Sequence, residues 1–204
     1  MDQFVTSSIS RRGLLAATGA ALALGLAACA STDPLAKQAN AGDGKNYIAG
    51  DGSVTEYKAA DRRQVTGLTG TLFDGTKVDS ASFTGHITVL NLWYAACSPC
   101  RAEAPGLQAL HTEFAPQGVQ FYGVNIRDEK ATAEAFDRTF GLTYPSFNDK
   151  DGGVLLALTR YGVPPAAVPT TLVLDRQGRI SARILGQADK GTLRALITTV
   201  VGEK

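Results

Sequence analysis

A single mixed α/β domain is predicted by three observations. Ile87 to Tyr94 is a continuous apolar and β-branched run, interrupted only by Thr88 and Asn91, with the composition of a strand buried on both faces. Strand and helix patterns then alternate as far as Phe140, which calls for parallel strands joined by right-handed crossovers. Two later β-rich runs, Thr170 to Asp175 and Ile180 to Leu185, are joined by Arg176-Gln177-Gly178-Arg179, close enough to pair as an antiparallel hairpin at the edge of the sheet. A chain of 204 residues has room for one modest core.

Residues 1–28 precede the domain and read as a signal peptide. Arg11 and Arg12 form a basic start, and the 16 residues from Gly13 to Ala28 carry no charge. That run is short of the roughly 20 residues a spanning helix needs. It ends in Leu26-Ala27-Ala28-Cys29, which resembles the lipobox of bacterial lipoproteins, where the cysteine is acylated and becomes the mature N-terminus. Cys29 is therefore the candidate lipidation site, which also accounts for the odd count of three cysteines. Ser10 to Leu15 is similar to a twin-arginine export signal and equally an ordinary basic region, so both the Sec and the twin-arginine routes stay open.

Residues 29–62 are polar and rich in Gly, Asp, Ala and Ser, as expected of a lipid anchor and flexible tether. An ordered extension packed on the domain is the alternative that Tyr47, Ile48, Val54 and Tyr57 would permit. The domain itself is expected over residues 63–204. It opens with a hairpin, Val65 to Leu72 and Thr76 to Val78, turning at Phe73-Asp74-Gly75. Ser98 to Phe114 has helical spacing at Leu107, Leu110 and Phe114 despite Pro105, and ends near Gly118. A strand at Val119 to Asn125, a helix at about Glu129 to Phe140 and a short helix from Gly153 to Arg160 follow. Lys190 to Val201 closes the domain, with Leu193, Leu196, Ile197 and Val200 on one face.

Charge excludes one class of partner. With 20 Lys plus Arg against 19 Asp plus Glu, there is no basic surplus of the kind that phosphate binding requires, so no nucleic-acid partner is expected. The sequence also has no collagen register, heptad run or repeat at a fixed period.

Chemistry is concentrated at Cys97-Ser98-Pro99-Cys100, where the buried strand gives way to the helix. At a helix start the unpaired amides and the macrodipole stabilise an anion, so Cys97 is the candidate nucleophile. Cys100, one turn further in, is expected to be the more buried and to act as the resolving thiol. A zinc site is disfavoured because only His86 and His111 remain as partners, at no recognised spacing, and haem attachment would need histidine where Arg101 stands. An inert structural disulfide is the plainer alternative.

Three motifs in order carry a resemblance: Leu90-Asn91-Leu92-Trp93, then Cys97 to Pro105, then Val168-Pro169-Thr170-Thr171. Over roughly Val65 to Val201 the chain resembles the thioredoxin superfamily, and within it the exported TlpA and ResA-like thiol-disulfide oxidoreductases. The resemblance implies a thioredoxin-like fold: a mixed central sheet flanked by helices, with an N-terminal hairpin and a βα unit inserted within Asp128 to Tyr161. Pro169 matches the cis-proline facing the cysteines, and the Val168 backbone matches the place where a substrate strand pairs. Glu103 matches an acidic residue near the cysteines, placed to relay protons to Cys100; a solvated helix glutamate is the alternative. Asn91 stands where cytoplasmic thioredoxins carry a buried aspartate. Trp93 packs beneath the site, and Pro99 belongs to the dipeptide that tunes the redox potential. Two positions depart from the family pattern. Ala96 replaces a common aromatic residue, and the loop Gly162 to Ala167 is about two residues longer than usual.

The resemblance implies an exported, membrane-tethered thiol-disulfide oxidoreductase on the outer face of the cell membrane. It implies no cofactor beyond the redox-active Cys97–Cys100 pair and no metal. Its expected partners are disulfides of exported proteins, apocytochrome c among them, a membrane protein that resupplies electrons, and the membrane itself through Cys29. Protein-disulfide reduction is the favoured direction. A disulfide-forming oxidase, a thiol peroxidase and a lipoprotein that binds peptide or soft metal without turnover are the competing readings; against the peroxidase, Tyr94 stands where a threonine is usual.

Overall fold

The structure is a computed structural model and describes residues 52–203. The signal segment and Cys29 lie outside those residues. The described chain forms strands β1 (Val54–Glu56), β2 (Thr69–Thr71), β3 (Lys77–Asp79), β4 (Ile87–Trp93), β5 (Val119–Asn125), β6 (Ser146–Asn148), β7 (Thr170–Leu174) and β8 (Ile180–Leu185). Its helices are α1 (Ser98–Phe114), α2 (Lys130–Phe140), α3 (Gly153–Thr159) and α4 (Lys190–Gly202).

Six strands make one mixed sheet in the order β1-β8-β7-β4-β5-β6. The β4, β5 and β6 strands run parallel, while β7 and β8 are antiparallel to their neighbours. Every residue of β4 is buried, as the unbroken apolar run requires. Its side chains alternate between two layers. Leu90 and Leu92 join Leu68, Phe83, Phe147 and Leu158 on one face, and Ile87 and Val89 join Leu107, Leu110, Leu193 and Ile197 of α1 and α4 on the other.

The β2–β3 hairpin turns where Asp-Gly was expected. Asp74 Oδ1 accepts from the Thr76 amide at 2.8 Å, and Gly75 takes φ +93°, which a side chain would resist. This hairpin forms its own two-stranded sheet and meets the main sheet through a bridge between Leu72 and Phe147. The inserted segment contains α2, β6 and α3, and Gly141 at φ +66° ends α2.

Two expectations are corrected. The β7–β8 hairpin is not the sheet edge, because β1 pairs along β8 and takes that place. The segment from Val54 to Arg62 accordingly belongs to the domain rather than to a tether, and the boundary expected at 62/63 moves forward to β1. Arg62 fixes this segment: its Nη1 donates to Asp175 Oδ2 at 3.2 Å, and its two terminal nitrogens reach the Glu203 carboxylate at 2.5 and 2.6 Å. Asp175 is 3% and Arg62 6% exposed at the side chain, and Asp175 is also paired with Arg179 at 2.9 Å, so loss of Arg62 removes one of two cationic partners from a poorly hydrated carboxylate.

Arg62→Ala is therefore expected to lower the unfolding free energy by about 1.5 kcal/mol, the loss of charge-assisted hydrogen bonds with Asp175 still held by Arg179, read from urea denaturation. A loss below about 0.5 kcal/mol, the level of an exposed pair, would return residues 54–62 to the status of a loose appendage.

Candidate active site

The β4 strand delivers the chain to the cysteines, and α1 begins at once. Cys97 is the N-cap of α1, with extended backbone at φ −74° and ψ 109°, and its Sγ accepts from the Cys100 amide at 3.3 Å. A sulfur thus satisfies one of the helix's orphan donors. Pro99 sits in the first turn, where its missing N–H costs no helical bond. Cys97 and Cys100 are joined in a disulfide with Cα atoms 5.3 Å apart.

The expected contrast in exposure between the two cysteines is absent in this oxidised state. Cys97 is 0% and Cys100 2% exposed. Both lie in a cluster with Trp93, Tyr94, Ala104, Ala133, Phe136 and Val168, so the neighbouring side chains cover the first cysteine as well as the second. The Val168–Pro169 bond is cis, as the resemblance implied, and Val168 in this cluster brings the approach to β7 against the cysteines.

Trp93 forms the floor. Its ring centroid lies 4.4 Å from that of Phe136, a contact worth about 0.5–1.5 kcal/mol beyond simple burial, and Nε1 donates to Ser146 Oγ at 3.3 Å. This fit needs Gly123 on β5, where a Cβ would overlap Ser146 Oγ and stand 2.5 Å from Trp93 Nε1.

Glu103 is not a solvated helix residue. It is 3% exposed, and its carboxyl is held from two sides: Asn91 Nδ2 donates to Oε1 at 2.7 Å, and the Ala188 amide donates to Oε2 at 2.7 Å. Asn91 also donates to Thr171 Oγ1 at 3.1 Å, across the β4–β7 register. Burial pushes the Glu103 carboxyl up to about 8, with the Ala188 and Asn91 hydrogen bonds acting the other way. Asn91 on β4 therefore serves a carboxyl that α1 supplies. Sequence reasoning did not find Ala188, a backbone donor with no side-chain signature, or Ser146.

The longer loop before the cis-proline is tied down at its start. Gly162 takes φ +79°, and its carbonyl accepts from Arg183 Nη1. Pro164, Pro165 and Ala166 are exposed beyond it, as is Ala96 before the cysteines. His111 stands edge-on to Phe121 and Tyr144, centroids 5.4 and 5.5 Å away, and burial lowers its proton affinity. It is a packing residue.

A family model described as the AhpC/TSA family matches residues 62–183, more than half of the chain. The chain belongs to the AhpC/TSA family. Among curated relatives of this AhpC/TSA protein, the thiol-disulfide oxidoreductase ResA of Geobacillus thermodenitrificans is 32% identical over 127 residues, covering 62% of this chain and 70% of that protein. Among solved structures, a secreted thiol-disulfide isomerase from Corynebacterium glutamicum superposes with a TM-score of 0.66 at 31% identity, over 75% of this chain and 95% of that one. A DsbF homologue from Corynebacterium diphtheriae gives 0.61 at 32% identity, over 72% and 92%. The fold is thioredoxin-like, and within its family the protein is a thiol-disulfide oxidoreductase.

The position of Glu103 contributes to the pH dependence of stability. In the folded chain the carboxyl keeps its proton to about pH 8, whereas its ordinary value is 4.5, so unfolding between those values releases a proton. Its contribution is fully present below pH 4.5 and is lost as pH rises through 8. Glu103→Gln should remove that slope. It should also cost roughly 1–2 kcal/mol at low pH, because one carboxamide oxygen cannot accept from both Asn91 and Ala188. Urea unfolding of both proteins from pH 4.5 to 8.5 reads the difference directly, and two parallel pH curves would show that Glu103 ionises normally in the fold.

Proposed function

We propose that this protein reduces disulfides of exported proteins, working outside the cytoplasm and held to the membrane by lipid on Cys29. The observation that carries the reading is the Cys97–Cys100 pair at the start of α1, packed against the cis-proline approach at Val168. In the reduced protein the Cys97 thiolate attacks a substrate disulfide. A new S–S bond forms to Cys97, the substrate bond breaks, and the departing substrate sulfur takes up a proton. Cys100 then gives up its proton and attacks Cys97 Sγ, releasing the second substrate thiol. Two electrons have passed to the substrate, and the protein is left with the disulfide seen here.

Glu103, one turn beyond Cys100 and equally buried, is the group we assign to exchange the proton of Cys100. Its environment also supports the direction. The burial that keeps Glu103 protonated to about pH 8 disfavours an anion at the neighbouring Cys100 too. An oxidase needs a reduced form stabilised as thiolate, and a buried Cys100 next to a carboxyl adds nothing to what the helix start gives Cys97. Val168 and Pro169 form the edge on which the substrate strand pairs, and a dithiol of a membrane protein restores the reduced state. Apocytochrome c belongs to the substrate class this chemistry would serve.

The roles of the two cysteines differ in a way that trapping separates. Cys100→Ser should accumulate a mixed disulfide between Cys97 and the insulin A or B chain, seen by mass after non-reducing electrophoresis. Cys97→Ser should accumulate none, and the double variant should lose insulin reduction to the uncatalysed rate. Equal trapping by both single variants, or insulin reduction by the double variant, would remove the proposed mechanism.

A further inference from the structure

A second set of contacts converges on Ala95, two residues before Cys97. Asp128 Oδ2 accepts from the Ala95 amide at 2.6 Å, and Arg101 Nη1 donates to the Ala95 carbonyl at 3.2 Å. Both backbone polar groups of Ala95 are thus held by side chains, one from the loop after β5 and one from α1. Neither holder is itself loose. Asn125, 0% exposed at the end of β5, donates from Nδ2 to the same Asp128 oxygen at 2.8 Å and accepts from the Arg127 and Asp128 amides at 3.1 and 2.8 Å. The Arg101 guanidinium lies over the Phe140 ring at 5.1 Å and that of Phe136 at 5.9 Å. The flanking Tyr94 is covered by the Arg127 guanidinium at 4.3 Å.

We propose that Asp128, anchored by Asn125 and opposed by Arg101, is a positioning residue that fixes the Ala95–Ala96 segment and thereby seats Cys97 as the cap of α1. The inference rests on the redox reading above. Its chemical logic is local. Cys97 gains from the helix start only while its Sγ faces the amides of the first turn, and the chain entering Cys97 from β4 is a single turn closed by one backbone hydrogen bond, from the Cys97 amide to the Tyr94 carbonyl at 3.1 Å. The contacts lie outside the Cys97–Cys100 ring and do not require the disulfide.

The test is the pH profile of Cys97 alkylation by iodoacetamide in the reduced full chain, resolved from Cys100 and Cys29 by peptide mass. Asp128→Ala should raise the apparent Cys97 pKa by about one unit, a tenfold slower reaction at pH values below it. Asp128→Asn keeps an acceptor of the same length and should stay within about twofold of the parent. Asp128→Glu keeps the charge but lengthens the arm, and it should be slowed even if Asp128→Ala does not fold. A charge effect on the thiolate would give the reverse pattern, with Asn altered and Glu unchanged, and would overturn the proposal. So would unchanged profiles in folded variants. If Cys97 of the parent reacts no faster than Cys100, the redox reading itself fails and the positioning role falls with it.

Discussion

The site depends on a sulfur standing where a helix usually has an oxygen. Cys97 Sγ takes the capping place at the start of α1, facing the Cys100 amide, and the surrounding structure delivers and holds it there. The β4 strand, pinned between β5 and β7, fixes the direction of approach. Trp93 at the end of β4 is locked by Phe136 and Ser146, and Gly123 leaves the room for that contact. The cap is thus over-determined from the sheet, the helix and the loop after β5, which suits a group whose reactivity depends on its placement to within a fraction of an ångström.

Burial is the second determinant, and it acts on everything near the cysteines at once. The same exclusion of water that pushes Glu103 up to about 8 leaves Asn91 and the Ala188 amide as the polar partners seen at its carboxyl. Such a network favours a protonated carboxyl and disfavours an anion at the neighbouring Cys100, while Cys97 keeps the amides of the helix start. A reluctant Cys100 thiolate fits the electron-donating direction proposed above.

Much of this was legible in the sequence, for identifiable reasons. The apolar run of β4, the Asp-Gly turn and the CxxC junction are local signals, and the structure places each of them where the pattern does. The three-residue strands β1 and β6 are too short to show a period, so the N-terminal segment read as tether and the sheet edge was assigned to β8. The network around Glu103 joins residues 12 and 85 positions apart, one of them through a backbone amide, and no spacing rule reaches that far. The expected difference in exposure between Cys97 and Cys100 failed for a related reason, since the side chains that cover Cys97 come from Val168, Phe136 and Tyr94 together.

The direction of electron flow is the claim on which the account stands, and the reduction potential of the Cys97–Cys100 couple tests it most directly. Equilibrating the full chain in defined thiol-disulfide buffers and counting free Cys97 and Cys100 thiols by alkylation and mass requires no knowledge of the substrate. A potential at or below about −250 mV is the expected result for a couple whose buried Cys100 thiolate is disfavoured. A value near about −120 mV would mean that the reduced form is the stabilised one, and would make the protein a disulfide-forming oxidase instead.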